Sequence, residues 1–123
     1  MGNKYKNFKE IPVWQESHKL TLEIYRVTRK FPREEIYGLV GQLRRSSASI
    51  PANITEGFYR NTTKELIQFL YNARGSAGET VYHLILAKDL KFISDKDYEI
   101  LSESYQGIIK QLSGWIRSLK NKV

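Results

Sequence analysis

Four segments of this chain carry apolar residues at alternating spacings of three and four. That spacing places the side chains on one face of an α-helix, and such a face must be covered by other apolar surface. The four apolar stripes lie within residues 13–31, 36–54, 66–84 and 101–119 of the 123 residues. Strand signals are weak, and the sequence has no Asn-Gly or Asp-Gly hairpin turn. The pattern predicts an all-α fold built around one core.

Turn and capping residues set the predicted ends of the helices. Pro32 ends the first helix, because the residue before a proline is pushed out of helical space, and then opens the second helix. Gly57 suits a C-cap, and Thr62 with Glu65 has the spacing of a capping box. The connections are short, so neighbouring helices should run antiparallel. We therefore predict one domain over residues 1–123, an antiparallel up-down-up-down four-helix bundle with helices at residues 13–30, 33–57, 63–91 and 95–120.

Pro51 lies inside the second apolar stripe. A proline within a helix removes one backbone hydrogen bond and costs about 3 kcal/mol, so we expect the second helix to be kinked at this residue. The hydroxyls of Ser46 and Ser47 lie close in sequence to the carbonyl groups that the proline frees. We expect these hydroxyls to satisfy the freed acceptors.

The second predicted helix also carries a polar stripe with spacings of 3-4-4-3-4, at Gln42, Arg45, Ser49, Asn53, Glu56 and Arg60. The third helix carries a shorter polar stripe at Asn72, Ser76, Glu79 and His83. Solvated helix faces are usually rich in Lys and Glu, so Asn, Ser and Gln favour partly buried hydrogen bonds over a plain solvated face. These bonds would join two helices of one chain or two subunits. A buried Glu56 would need a donor, and the candidates are Arg45 and the N–H groups that begin the third helix.

Gly75 and Gly78 interrupt the third predicted helix. A glycine inside a helix costs about 0.8–1 kcal/mol relative to alanine, so its presence calls for a compensating contact. Small side chains let two helix backbones approach closely. We expect Gly75 and its neighbour Ser76 to pack against another helix, either within the bundle or at a subunit interface.

Residues that carry catalytic or metal chemistry are few. The chain has no cysteine and two histidines, and it contains neither of the phosphate-binding loops G-x-x-x-x-G-K and G-x-G-x-x-G. Di-iron bundles place a glutamate and a histidine three residues apart, whereas Glu79 is followed by Tyr82 at that spacing and by His83 one residue later. We therefore expect a protein that is not an enzyme and that holds no metal or cofactor.

The charge of the chain is unequal, because 20 Lys and Arg against 13 Asp and Glu give a formal net charge of +7. In the predicted topology the N-terminal arm, the turn between the second and third helices, and the C-terminus meet at one end of the bundle. Eight basic residues against three acidic ones, Glu10, Glu56 and Glu65, give this basic end a net charge of +5. The eight basic residues are Lys4, Lys6, Lys9, Arg60, Lys64, Arg117, Lys120 and Lys122.

Such a basic end suits contacts with the phosphates of nucleic acid. Five aromatic residues nearby could stack on unpaired bases, namely Tyr5, Phe8, Trp14, Phe58 and Tyr59. The alternative is that Trp14 and Phe58 belong to the core and that the lysines only keep the protein soluble. No apolar run is long enough to span a bilayer, and none follows the basic N-terminus as in a secretory signal. We therefore expect a cytoplasmic protein with no membrane partner.

Residues 42–57, QLRRSSASIPANITEG, closely resemble a motif of the four-helix-bundle proteins encoded in intervening sequences of bacterial 23S ribosomal RNA genes. The segments VWQ at 13–15, FPREEIYGL at 31–39 and FLYNARGS at 69–76, with Glu79, resemble the same family, so the similarity spans roughly residues 8–119. Thr55 stands where the family usually has alanine or another small residue. A more distant resemblance is to the accessory variability determinant of diversity-generating retroelements. That protein binds a reverse transcriptase and nucleic acid through a basic pentameric barrel, but it lacks the SIPANxxEG run.

The resemblance implies a four-helix bundle without enzymatic activity that assembles into a ring-like homo-oligomer such as a pentamer. Two functions from different classes follow. In the first, the protein binds RNA, either ribosomal or element-encoded, through its basic end. In the second, it is a protein-interaction scaffold or accessory subunit, in which residues such as Ser49, Asn53 and Gly75 contact a subunit or a partner protein and the charge has no direct role.

Overall fold

The computed structural model describes residues 4–123, so residues 1–3 of the predicted domain lie outside the described residues. Its four α-helices are α1 (Pro12–Thr28), α2 (Leu39–Phe58), α3 (Thr63–Asp89) and α4 (Asp95–Lys120). Two short 3-10 turns, Phe8–Glu10 and Arg33–Glu35, lie ahead of α1 and α2. The described residues contain no strand, which confirms the predicted all-α class. The bounds of α1, α3 and α4 agree with the prediction to within two residues.

The helices form an antiparallel bundle around one core. α2 packs against α1 and α3, and α4 packs against α3 and α1, which closes the bundle. Each helix contributes side chains with no solvent exposure, among them Ile24, Leu43, Leu70 and Leu112. Burial of one such side chain stabilises the fold by about 1.5–3 kcal/mol. The predicted capping box is confirmed, because the Thr62 hydroxyl accepts a hydrogen bond from the N–H of Glu65 at 3.1 Å.

The predicted start of the second helix was wrong. Pro32 opens the 3-10 turn Arg33–Glu35 rather than a continuous helix, and α2 begins only at Leu39. Gly38 lies between the two with φ −107° and ψ −112°, which is outside the helical region and breaks the hydrogen-bond ladder. The Glu35 carboxylate then accepts the N–H of Leu39 at 3.2 Å. Ile36, which the periodicity assigned to the apolar stripe, is therefore turned out and is 54% exposed.

α2 continues through Pro51, which is buried. The proline ring has no N–H to donate to the carbonyl of Ser47, four residues earlier. The hydroxyl of Thr21 on α1 lies 3.1 Å from that carbonyl oxygen and shares its one hydrogen between this oxygen and the carbonyl of Ser17 at 3.0 Å. The predicted donors were wrong, since the hydroxyls of Ser46 and Ser47 each bond to the carbonyl three residues before their own. The neighbouring helix therefore supplies the missing hydrogen bond, and the kink itself stays a prediction.

The close approach of two helices occurs at Gly57 and not at the glycines of α3. Gly57 is buried inside α2, where an added Cβ would lie 2.9 Å from Cδ1 of Leu66 and 3.0 Å from Cβ of Phe69 on α3. Its predicted role as a C-cap was wrong, because α2 ends at Phe58. Gly75 and Gly78 are exposed, and a Cβ at either would meet nothing within 4 Å in the described chain. Packing of these two glycines within the bundle is therefore excluded.

Candidate nucleic-acid interface

The basic end brings together segments that are far apart in the sequence. An antiparallel bundle places the N-terminal segment, the start of α3 and the end of α4 at one end. The structure joins them in one surface groove, whose lining includes Lys4, Pro12, Thr63 and Lys122. The predicted grouping of the N-terminal lysines with the C-terminal lysines is therefore present in the fold.

The N-terminal arm is held on the bundle by hydrogen bonds and ring contacts. The Asn7 side chain accepts the N–H of Lys9 at 2.9 Å and so caps the 3-10 turn. Gln15 on α1 donates to the carbonyl of Lys9 at 2.7 Å. Phe8 packs edge-on against Trp14, with 5.2 Å between ring centroids. These contacts fix the backbone that carries Lys6 and Lys9, while both lysine side chains stay exposed.

Seven of the eight predicted basic residues carry charge that no carboxylate of the described chain neutralises within 4.0 Å. They are Lys4, Lys6, Lys9, Lys64, Arg117, Lys120 and Lys122, and all seven are exposed. Arg60 differs, because its guanidinium pairs with Glu56 at 2.7 Å and with Glu65 at 3.9 Å and lies over the ring of Phe69. Two of the three acidic residues counted at the basic end thus pair with Arg60 and not with the lysines.

A basic residue outside the eight predicted for the basic end joins the same surface. Lys120 donates to the hydroxyl of Tyr71 at 3.1 Å, so the end of α4 lies against α3. The guanidinium of Arg74 lies 5.1 Å from the centroid of the same ring and donates to the Ser113 hydroxyl at 3.2 Å. Tyr71 therefore holds two cations on the α3–α4 side of the bundle. The sequence could have placed Arg74 beside Tyr71, because residues three apart lie on one face of a helix.

Most of the aromatic residues predicted to stack on bases pack on one another instead. Phe8 makes edge-on contacts with the rings of Trp14, Phe58 and Tyr59. Trp14 also stacks on the ring of His18, and its indole N–H donates to the Thr55 hydroxyl at 2.9 Å. This cluster ties the N-terminal arm to α1 and α2, which favours a structural role for Trp14, Phe8 and Phe58.

A groove of about 790 Å³ opens at the basic end and is called here the Trp115 groove. Its walls come from Lys4 and Tyr5, the start of α1, the start of α3 and the last three turns of α4. Lys4, Lys110 and Lys122 line it, and none of its lining residues within 4–123 carries a carboxylate. Trp115 and Leu119 give the groove an apolar wall. The site therefore combines apolar surface with cations.

With spacings of three and four, the predicted apolar stripe of residues 101–119 runs through Leu112, Trp115 and Leu119, and the structure corrects the place of Trp115. Ile116 is 3% exposed and continues the core positions Ile108 and Leu112, whereas Trp115 is only half-buried. The spacing of four from Ile108 to Leu112 to Ile116 was the signal that could have placed Trp115 at the edge of the stripe. Its indole N–H donates to none of the described residues, in contrast to that of Trp14.

The central part of the predicted polar stripes forms a seam between α2 and α3 of the same chain. The hydroxyls of Ser49 and Ser76 lie 2.9 Å apart, and the Asn53 amide donates to the carbonyl and the hydroxyl of Ser49 at 2.8 and 2.9 Å. Two residues outside the predicted stripes extend the seam, since the Thr80 hydroxyl donates to that of Ser46 at 2.8 Å. The Ser49–Ser76 bond thus joins α2 to α3 within one chain, whereas Asn53 bonds only to Ser49, one turn earlier on its own helix.

The outer parts of the polar stripes are surface pairs. Arg45 donates to the amide oxygen of Gln42 at 2.7 Å on α2. The donors predicted for a buried Glu56 were Arg45 and the start of α3, but its side chain is 55% exposed and its donor is Arg60. Glu79 lies 3.2 Å from Nε2 of His83, one turn later on α3. Solvent screens the exposed Glu56–Arg60 pair, which contributes only about 0–1 kcal/mol. His83 differs, because its side chain is only 12% exposed and its Nδ1 is buried without a partner among the described residues.

Tyr105 is a buried titratable group that belongs to the core and not to the groove. It lies on α4 with no solvent exposure, and its hydroxyl makes no well-formed hydrogen bond with the described residues. Burial raises the pKa of Tyr105 well above its usual range, and the Ser47 side chain offsets only part of this effect. The phenol is therefore held neutral inside the bundle.

Over residues 4–123, no three His, Asp or Glu side chains lie close enough together to hold a metal ion. Within the same part of the chain, no helix has both the length and the apolar character needed to span a bilayer.

Known proteins are similar to this chain in sequence and in fold. The family model described as 23S rRNA-intervening sequence protein matches residues 9–114. A crystal structure of a protein of unknown function from the S23 ribosomal protein family of Bacteroides thetaiotaomicron superposes with a TM-score of 0.80 at 27% sequence identity. The match covers 85% of this chain and 95% of that protein. None of the curated proteins matches this chain in sequence.

Proposed function

This chain belongs to the family of 23S rRNA-intervening sequence proteins, and from that premise we propose that it is a non-enzymatic protein that binds RNA through its basic end. The RNA is ribosomal or encoded by the element that carries the gene. The protein acts in the cytoplasm as a homo-oligomer, with a pentameric ring as the expected form. The family name concerns where such genes lie, so the proposal depends on the charge and geometry of this chain.

The observation that carries the proposal is the net charge of +5 at the basic end, where seven exposed cations have no carboxylate of the described chain within 4.0 Å. RNA presents one phosphate per nucleotide, and binding of cations to phosphates releases counterions and so favours association. The opposite end of the bundle is nearly balanced, because seven basic residues there face six acidic ones: Arg26, Arg29, Lys30, Arg33, Lys88, Lys91 and Lys96 against Glu34, Glu35, Asp89, Asp95, Asp97 and Glu99. An electrostatic contact with a polyanion is therefore directed to one end of the molecule.

The test is crosslinking in the native host, followed by sequencing of the RNA that stays with the protein. We expect enrichment of a defined ribosomal segment over a mock recovery. A variant with Lys4, Lys6, Lys9, Lys120 and Lys122 changed to glutamine should recover that segment no better than the mock. Recovery by the wild type at the mock level would contradict RNA binding.

A second candidate function is that of an interaction scaffold, and one surface of α3 favours it. Gly75, Gly78, Tyr82 and Ile85 share one helix face at spacings of 3-4-3. Both glycines are exposed with open space above them, and Tyr82 and Ile85 are 57% and 38% exposed. A face that is flat and apolar at these positions suits the close approach of a second helix from a subunit or a partner protein. In this function Glu79, on the flank of the same face, would form part of the contact.

A further inference from the structure

The Trp115 groove has a lining that suits one class of ligand. Three lysines, Lys4, Lys110 and Lys122, surround an apolar wall that includes Trp115 and Leu119. The Glu16 carboxylate lies beside the groove, where it accepts a hydrogen bond from the lining residue Gln111 at 2.9 Å, but three lysines against this one carboxylate leave the groove with net positive charge. A ligand that fits must therefore offer an apolar surface together with negative charge. Its volume of about 790 Å³ falls within the range of roughly 300–1,000 Å³ that is typical of sites for small molecules.

Trp115 packs on the bundle with only part of its side chain. Part of its indole packs on the core, yet the side chain also lines the groove and is only half-buried. It pairs with no aromatic ring of the described chain, and its N–H donates to none of the described residues. Trp14, the other tryptophan, has both a stacked ring and a hydrogen-bond acceptor. Trp115 thus retains a donor and an apolar surface for a ligand.

On the basis of the proposed function, we infer that the Trp115 groove holds an unpaired nucleotide of single-stranded RNA. The base lies against the indole of Trp115, and the flanking phosphates contact Lys4, Lys110 and Lys122. An unpaired base has the planar apolar face that the wall requires, and the backbone supplies the negative charge. Duplex RNA hides its base faces in the stack and cannot fill the groove in this way. The basic end therefore selects single strands from a population of RNA segments.

Gly114 offers a way to close the groove without disturbing the bundle. It lines the groove on α4, and an added Cβ would meet nothing within 4 Å. Gly107 lies two turns earlier on the same helix, has equally open space above it and does not line the groove. Gly114→Leu and Gly107→Leu are therefore matched: both replace a helical glycine by a better helix former, and only the first fills the groove.

The first experiment uses tryptophan emission. The chain has two tryptophans, so Trp14→Phe leaves Trp115 as the sole indole. We expect a single-stranded RNA hexanucleotide to quench its emission, whereas duplex RNA of the same sequence and inorganic polyphosphate at equal phosphate concentration leave it unchanged. Equal quenching by polyphosphate would overturn the inference, because an anion without a base would then produce the whole effect.

The second experiment measures affinity in the wild-type background and does not depend on the Trp14 variant. Loss of one stacked base weakens single-strand binding by about 5- to 150-fold, so Gly114→Leu and Trp115→Leu should each weaken hexanucleotide binding by that amount, and Gly107→Leu should not. If Gly114→Leu binds the hexanucleotide as tightly as the wild type, the groove does not hold the base and the inference is overturned. The proposed function then still stands, because RNA binding is intact. Failure of the wild type to bind any RNA overturns both. Displacement of the hexanucleotide by an acidic peptide that quenches Trp115 equally would assign the groove to protein and overturn the inference.

Discussion

The hydroxyl of Thr21 on α1 lies 3.1 Å from the carbonyl oxygen of Ser47 on α2, which is the carbonyl that Pro51 leaves without its helical N–H. The same hydroxyl lies 3.0 Å from the carbonyl of Ser17 on its own helix. All three side chains involved, Thr21, Ser47 and Pro51, are buried, so water cannot replace the bond. The proline is tolerated because the adjacent helix satisfies the acceptor that it frees.

Thr21→Val should lower the free energy of unfolding by about 1–3 kcal/mol, because it leaves a buried carbonyl without a donor. In a Pro51→Ala background the alanine N–H bonds to Ser47, so the same change should cost about 1 kcal/mol less. Urea denaturation of the four proteins in this cycle measures the difference. An equal cost of Thr21→Val in both backgrounds would show that Thr21 does not compensate for Pro51.

Gly57→Ala should destabilise the bundle by about 1–3 kcal/mol, because its methyl group would collide with Cβ of Phe69, which cannot move without shifting α3. Gly107→Ala is the matched control. Its methyl meets open space, so the better helix former should raise stability by about 0.8–1 kcal/mol. Thermal unfolding followed by circular dichroism compares the two. Stabilisation by both substitutions would show that α2 and α3 are not in close contact at Gly57.

Gly75→Leu and Asn53→Leu should affect different properties. Asn53 belongs to the α2–α3 seam, so Asn53→Leu should lower stability by about 1–2 kcal/mol through loss of its hydrogen bonds and leave the assembly mass unchanged. Gly75 lies on the open face of α3, so Gly75→Leu should reduce the assembly mass in sedimentation. An unchanged mass in Gly75→Leu would remove this face from the subunit contact.

Alkaline pH should weaken the fold through Tyr105. Burial raises the folded-state pKa of its phenol above the unfolded value of about 10, so its neutral form is favoured in the folded protein. Its effect on stability is therefore constant below about pH 10 and turns destabilising as the pH rises further, because the unfolded state releases the proton first. Tyr105→Phe should show a shallower decline above pH 10 than the wild type, and Tyr82→Phe on the exposed face should not. Parallel declines in all three would contradict a buried neutral phenol.

The parts of the fold that depend on local chemistry could be predicted from the sequence. Thr62 and Ser94 each accept a hydrogen bond from the backbone N–H three residues later, and their helices begin at the predicted residues 63 and 95. The start of α2 depended on the backbone angles of Gly38, which periodicity does not report. The role of Gly57 depended on the distance between two helices. A glycine that ends a helix and one that permits close packing look the same in a sequence.

The candidate site was predictable in its charge and not in its shape. Antiparallel topology was enough to bring Lys4 and Lys122 together, because short connections leave few other arrangements. The compensation of Arg60 by Glu56 and Glu65 required knowledge of side-chain positions. Trp115 was missed because it is one residue from Ile116, and either residue could continue the apolar stripe. The seam at Ser49 and Ser76 was expected as hydrogen bonding, but only the structure assigns it to one chain.

The salt dependence of RNA binding tests the central claim most directly. The logarithm of the association constant for a single-stranded RNA should fall linearly with the logarithm of the salt concentration. Changing Lys4, Lys6, Lys9, Lys120 and Lys122 to glutamine should reduce the steepness of that line by as much as about 3.5, or about 0.7 for each lost phosphate contact. The control changes Arg29, Lys30, Arg33, Lys91 and Lys96 at the opposite end to glutamine, removing the same charge, and should keep the wild-type slope. Equal slopes for the wild type and the five-lysine variant, or an equal loss in the control, would contradict RNA binding through the basic end.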